Sequence, residues 1–216
     1  MKATFDAVHL FPISCFITEI DSKICKKINA EDHTFVENYI EEFNYDPSND
    51  ISKSYASIDH EMLKRYPEVE EAIMEKWQEI CESYFDFPGT FAISTSWMTK
   101  TYPGGYCDRH NHKNSFYAGV FYFDEYEENG GDLGFYSPID HLSSYMVLGN
   151  TPNDFTAGSH WFRPKHGSLV LFPAYLQHKI GLHKGKKTRY SLAFNIVPTG
   201  GYGIADSYYD TAWFKG

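Results

Sequence analysis

After Gly89 the chain becomes a succession of short runs rich in aromatic and β-branched residues, each closed by Gly, Pro, Asn or Asp. The runs are FAISTSWMTKTY (91–102), FYAGVFYFDEY (116–126), GDLGFYS (131–137), SSYMVLG (143–149), SLVLFP (168–173) and RYSLAFNIVP (189–198). Such residues fit a pleated, half-buried surface, and turn residues at this spacing predict an antiparallel sandwich or barrel. Its 216 residues are enough to bury a full core and suit one domain better than two. The 17 Tyr and 17 Phe favour strands and pockets. Residues 139–165 are longer and less regular, which predicts an insertion near the mouth of the barrel.

Upstream, VHLFPISCFITEI (8–20) reads as strand material broken by Pro12. From Ala30 to Asn44 the positions Phe35, Val36, Tyr39, Ile40 and Phe43 recur at helical spacing, with Asp32 as a cap. Pro67 opens a second helix whose stripe is Val69, Ile73, Trp77, Ile80 and Tyr84, and DFPG (86–89) stops it. Both helices are expected to cover one face of the sheet. The predicted organisation is therefore an N-terminal strand and supporting helices (1–88), a β core (89–198) and a C-terminal tail (199–216).

Charge and cysteine usage narrow the partners. A formal net charge of −10 repels phosphate backbones, so an extended nucleic-acid-binding face is not expected. No apolar run reaches the ~18 residues that a membrane helix needs. Cys15, Cys25, Cys81 and Cys107 show no CxxC spacing and no secretory start precedes them, which predicts free thiols in the cytoplasm.

The chemistry concentrates in TYPGGYCDRHNHKNS (101–115). Two histidines two apart, His110 and His112, share a strand face and can converge on one divalent transition metal. His178 follows the apolar run ending at Pro173, whose break in the ladder lets the chain turn and bring a third imidazole to the pair. Asp108, two before His110, and Asn114, two after His112, are alternative ligands. Arg189 opens a strand that is otherwise nearly all apolar, either as an edge residue or as a cation anchoring a buried carboxylate. His9, His33, His60, His141, His160, His166 and His183 are assigned no role. Trp97, Tyr106, Tyr117, Trp161, Phe162 and Tyr175 are core or rim aromatics near the inferred mouth, and HKGKK (183–187) is a solvated hairpin turn.

Six segments in order resemble the 2-oxoglutarate and Fe(II)-dependent oxygenase superfamily, above all its prolyl-hydroxylase-like branch and bacterial and phage members with an HxH-x-NS motif. They are Tyr-Pro-Gly (102–104), Arg-His-x-His (109–112), GVFYFD (119–124), GGDLGF (130–135), LFPAYLQH (171–178) and TRYSLAFN (188–195). The resemblance implies a double-stranded β-helix, or jelly roll, with the metal at its open end. It implies an enzyme that couples oxidative decarboxylation of 2-oxoglutarate to succinate with hydroxylation of an unactivated C–H bond, using Fe(II) and dioxygen. The substrate would be a protein side chain, an amino acid or another small molecule. By position, His110 matches the first ligand, His112 stands where the family usually has Asp or Glu, and His178 matches the distal ligand. Arg189 matches the partner of the far carboxylate, Tyr102 and Tyr122 stand where residues help hold it, and Ser191 adds a hydroxyl to that end. The GGDLGF strand is implied to be structural. Three imidazoles also suit a cupin-type dioxygenase that needs no 2-oxo acid, or a jelly-roll binding module without catalysis.

Overall fold

The computed structural model of the chain describes residues 12–35, 52–87, 89–139, 153 and 156–214. Strand-forming segments become strands largely where their residues predict them. They are β1 (Phe16–Glu19), β2 (Ser54–Ala56), β3 (Thr90–Thr101), β4 (Cys107–His110), β5 (Tyr117–Tyr122), β6 (Leu133–Tyr136), β7 (Ser159–Phe162), β8 (Ser168–Pro173), β9 (His178–Ile180), β10 (Arg189–Thr199), β11 (Gly201–Tyr202) and β12 (Tyr209–Asp210). Two sheets carry the core, one of six strands in the order β1-β8-β5-β10-β3-β2 and one of four in the order β4-β9-β6-β7. Every pairing within them is antiparallel. From β3 to β10 the chain crosses repeatedly between the sheets and leaves four of these eight strands in each, which is the expected jelly roll.

Strand alternation splits the apolar side chains between two cores. On β5, Ala118, Val120 and Tyr122 face the smaller sheet, where they meet Leu133, Phe135, Val170, Phe172 and Leu176. Tyr117 and Phe121 point the other way, into a cluster with Met98, Leu169, Leu171, Leu192, Phe194 and Ile196. Gly119 is demanded on that second face, because a Cβ there would lie 2.2 Å from the Phe194 ring.

Helices cover the outer face of the large sheet. The short α1 (Ser22–Cys25) is capped by the Asp21 side chain, and α2 (Pro67–Ile80) has proline at its start and Glu68 and Glu70 in its first turn. Val69, Ile73, Trp77 and Ile80 form the buried stripe of α2, as predicted. Trp77 is fully buried against Phe85, Phe91, Phe116 and Tyr117. Tyr84 departs from the stripe. The chain winds as a π-helix over Cys81–Phe85, and the extra residue per turn leaves Tyr84 72% exposed while Phe85 packs under Phe16 and Trp77.

Three other expectations change. Ala30–Asp32 is a single 3-10 turn capped by Asn29, and Phe35 forms a β-bridge with Ser57, so no helix begins at Ala30; residues 36–51 lie outside the described residues. The stretch expected as an insertion contributes β7 to the smaller sheet, because Gly134 leaves room for Trp161 to lie across β6. The SSYMVLG run lies outside the described residues. Among the described residues no helix is long and apolar enough to cross a membrane, and all four cysteines are free thiols.

Candidate metal centre and its inner pocket

The smaller sheet builds the histidine cluster through an irregularity. Cys107 stands opposite Ile180 and His110 opposite His178, so β4 advances three residues while β9 advances two. This bulge aims both Cys107 and His110 inward and leaves Asp108 and Arg109 exposed, with the Arg109 guanidinium 4.2 Å from the Tyr136 ring centre. Asp108 therefore does not share a face with His110, as strict alternation would require. His112 lies beyond the end of β4, where its N–H donates to the Ala174 carbonyl at 2.9 Å. Asn114 follows in an exposed left-handed turn with φ 54°. After Pro173 a short turn leads to His178 at the start of β9, as the sequence predicts.

Ring centres of His110 and His178 are 4.4 Å apart, those of His112 and His178 5.1 Å, and those of His110 and His112 5.5 Å. One nitrogen from each lies within 4.8 Å of the others, which is the spacing of ligands around a single ion. The hydrogen bonds decide which nitrogen that is. Nδ1 of His110 faces the Asp108 carbonyl at 2.7 Å, Nδ1 of His178 faces the Leu176 carbonyl at 2.9 Å, and Nδ1 of His112 faces Asn195 Oδ1 at 2.5 Å. Carbonyl and amide oxygens only accept, so each Nδ1 carries the proton and each Nε2 keeps a lone pair for a metal.

Burial keeps the His112 and His178 rings neutral. It pushes the His178 imidazole down to about 3, and it also lowers His112, where the bond to Asn195 opposes the shift. A depressed imidazole means that the unfolded chain binds more protons below the ordinary value of about 6.5. Stability of the metal-free protein is thus complete above that pH and falls as pH drops toward 3, by on the order of 1 kcal/mol per unit through His178. Urea denaturation of metal-free protein at pH 7, 5.5 and 4.5 measures this, and an unchanged midpoint would contradict neutral burial.

Behind the histidines lies a polar pocket on the inner face of the large sheet. Register places Ala193 beside Val120 and Asn195 beside Ala118, so Arg189, Ser191, Ala193 and Asn195 all look inward from β10. Arg189 is 4% exposed and donates through Nη1 to the carbonyls of Gly130 and Gly131, and through Nη2 to Thr101 Oγ1 at 3.3 Å. The Tyr126 ring lies 6.0 Å from its guanidinium, and the Tyr126 hydroxyl donates to Gly131 O at 2.6 Å. Burial pushes the Tyr126 phenol up to about 12, and it raises the Tyr122 phenol further against the opposing Arg189 cation. Both remain O–H donors at neutral pH.

Two buried donors here have no acceptor within the protein, Arg189 Nε and Tyr122 Oη. A carboxylate ligand could accept from both a guanidinium N–H and a phenol O–H. Ser191 is 6% exposed on the same inner face. Cys107 stands near this pocket, its thiol raised mainly by burial and drawn down by Arg189. Tyr102 does not join it. Its ring packs with Tyr55 at 6.0 Å and under Lys100 at 4.8 Å, in the cluster on the opposite face of the large sheet.

Several residues at this site had no predicted role. Asn195 could have been found by parity, since it lies six residues after Arg189 and alternation puts both on one face. The GGD turn, expected to be structural, supplies the carbonyls that orient Arg189. Gly131 has φ +88°, and a Cβ there would sit 2.4 Å from Gly181 O and 3.3 Å from Arg189 Nη1. His183 is buried, its ring bonded to Lys187 O and Gly185 N–H and its backbone paired with Gly104 and Gly105, so HKGKK is a turn with a buried end rather than a fully solvated one.

Residues 95–195, which contain all three histidines and Arg189, match the family described as "Putative 2OG-Fe(II) oxygenase". Over this segment the chain is similar to the 2OG-Fe(II) oxygenase family. The family is named for the pair of groups, a metal and a 2-oxo diacid, that the two halves of the site suit. Solved structures share the fold at low identity. A prolyl-4-hydroxylase of Pseudomonas putida superposes with a TM-score of 0.52 at 17% identity, covering 85% of this chain and 92% of its own. HygX of Streptomyces hygroscopicus, with nickel and 2-oxoglutarate bound, gives 0.54 at 8% identity, covering 87% and 84%. The epimerase SnoN, in complex with Fe3+, alpha-ketoglutarate and nogalamycin RO, gives 0.58 at 9% identity, covering 89% and 82%. Comparison with curated proteins gives no match.

Proposed function

We propose that this chain acts as a single-domain, 2-oxoglutarate-dependent Fe(II) dioxygenase that hydroxylates an unactivated C–H bond of a protein side chain or amino acid. The observation that carries the proposal is a pair of features of the barrel interior, three imidazoles that bring one nitrogen each within 4.8 Å of the others with every Nδ1 turned to an oxygen acceptor, and two buried unpartnered donors, Arg189 Nε and Tyr122 Oη. Fe(II) held there would supply dioxygen activation coupled to oxidative decarboxylation of 2-oxoglutarate to succinate.

The protein's own part is positioning. His110, His112 and His178 are the proposed ligands, and their Nδ1 acceptors fix each ring before any metal arrives. All three are neutral, so the centre carries one more positive charge than a site with two histidines and a carboxylate, and binds an anionic co-substrate more strongly. Arg189 holds the far carboxylate with its planar fork, Tyr122 donates its phenol proton to the same group, and Ser191 offers a hydroxyl beside them. The apolar walls at Val120, Phe172 and Leu133 keep water from competing for these donors. A groove of about 510 Å³ reaches His112 from outside, and its exposed Phe116 and Tyr175 give an organic substrate apolar surface to rest on.

The test is succinate release by Fe(II)-reconstituted protein with and without 2-oxoglutarate. Release that requires both the ion and 2-oxoglutarate supports the proposal. Dioxygen consumption that proceeds without 2-oxoglutarate would instead favour a three-histidine dioxygenase, which leaves Arg189 Nε and Tyr122 Oη without a ligand to serve.

A further inference from the structure

We infer that Asn195 is a positioning residue that sets which nitrogen His112 offers, and that the Thr95–Asn195 pair is what lets an imidazole serve at this position. The inference rests on the metal centre proposed above and goes beyond it by naming the side chains that tune one ligand. The three Nδ1 acceptors are not alike. His110 and His178 each use a backbone carbonyl two residues earlier, Asp108 O and Leu176 O, which the local chain supplies whatever side chains surround it. His112 uses a side-chain oxygen, contributed from 83 residues away, whereas His110 Nδ1 adds to its carbonyl only a 3.7 Å contact with Cys107 Sγ.

That side chain is itself held. Asn195 Nδ2 donates to Thr95 Oγ1 at 2.8 Å, and Thr95 and Asn195 are direct partners across β3 and β10. With the NH₂ group on Thr95 Oγ1, Oδ1 faces His112, and turning the amide over would need the Thr95 hydroxyl to donate and would set an NH₂ donor against His112 Nδ1. Immediately after this pair the ladder slips, with Ile196 opposite Ile93, so the bulge ends the regular register at the residue that reaches the histidine. The His112 ring is otherwise flanked by aromatics, Trp97 at 5.5 Å and Phe172 at 6.3 Å between ring centres. Neither can accept a hydrogen bond in the plane of the imidazole. Without Asn195, no other group among the described residues accepts from Nδ1–H, and the ring loses the constraint that keeps Nε2 toward His110 and His178.

Anaerobic Co(II) titration, followed by visible d–d absorption, tests this without recourse to turnover. Wild type, Asn195→Ala, Asn195→Asp and Thr95→Val are compared, with melting of each metal-free protein as the folding control. Asn195→Ala is expected to weaken Co(II) binding about 10- to 100-fold and to alter the absorption bands. Thr95→Val, which frees the amide to rotate, is expected to shift both in the same direction by less. Asn195→Asp keeps an acceptor at Nδ1 and is expected to bind within about threefold of wild type or tighter. Wild-type affinity and bands in both Asn195→Ala and Thr95→Val would overturn the inference, as would Asn195→Asp binding as weakly as Asn195→Ala. If Asn195→Ala does not fold, Thr95→Val decides, and an unchanged titration there overturns it. A wild-type protein that binds no Co(II) at one equivalent sinks the metal centre itself, a separate outcome from unresponsive variants of a protein that does bind.

Discussion

Fe(II) affinity is expected to fall by more than about 100-fold when His178 is replaced by alanine, since removing a ligand costs more than disturbing its support, which alone costs 10- to 100-fold. Succinate formation should then disappear at any iron concentration that saturates the wild type. His178 is the most buried of the three imidazoles, at 3% exposure, and stands directly opposite His110 in the ladder. No neighbouring Asp or Glu joins the three-histidine cluster among the described residues, so no side chain takes its place. The same substitution removes the neutral imidazole that makes the metal-free protein acid-sensitive. Its stability should therefore vary less between pH 7 and 4.5 than that of the wild type. Calorimetric titration with Fe(II) under anaerobic conditions and denaturation across that pH range read the two effects separately. Retained stoichiometric iron in the variant would remove His178 from the ligand set.

Substituting Arg189 by alanine is expected to weaken 2-oxoglutarate binding by about 2 to 5 kcal/mol, the cost of leaving a buried charge on the ligand without its partner. That corresponds to roughly 30-fold to more than 1000-fold in affinity. Lysine should recover only part of the loss, because an ammonium offers a point charge where a planar fork is needed. The alanine variant also strands the Gly130 carbonyl and takes one partner each from Gly131 O and Thr101 Oγ1, which keep Tyr126 and Ser54, so its melting temperature should drop as well. Titration of Mn(II)-loaded protein with 2-oxoglutarate separates binding from stability, since the folded fraction is measured in the same sample. Equal affinity in wild type and alanine variant would show that the guanidinium serves only the GGD turn.

Parity explains much of what could be inferred without coordinates. Strand residues alternate between faces, so Arg189 and Ser191 on one side and Leu192 and Phe194 on the other follow from RYSLAFN alone. The same rule fails at β4, where the bulge between Cys107 and His110 breaks alternation and turns Asp108 outward. Nothing in DRHNH marks that bulge, because it is fixed by how β4 must pair with β9. Helical periodicity likewise identified α2 but misjudged Tyr84, since a π-turn changes the period from 3.6 after Ile80. Tyr102 was placed by resemblance, whereas alternation alone puts it on the other face. Its neighbour Thr101 faces the inner pocket, and the chain leaves the strand at Tyr102 with the ring on the opposite side.

The order of apolar runs, the two histidines two apart, the third after Pro173 and the lone arginine in an apolar strand are local facts, and they pointed to the jelly roll and to three imidazoles that the fold brings together. What only the folded chain decided is which atoms face which. The protonated nitrogen on each imidazole, the Asn195 contact to His112 from 83 residues away, and the unpartnered Arg189 Nε beside Tyr122 depend on strand register and on a bulge in each sheet. Those follow from how whole strands pair, and pairing energy is shared among many residues rather than encoded in the few that perform the chemistry.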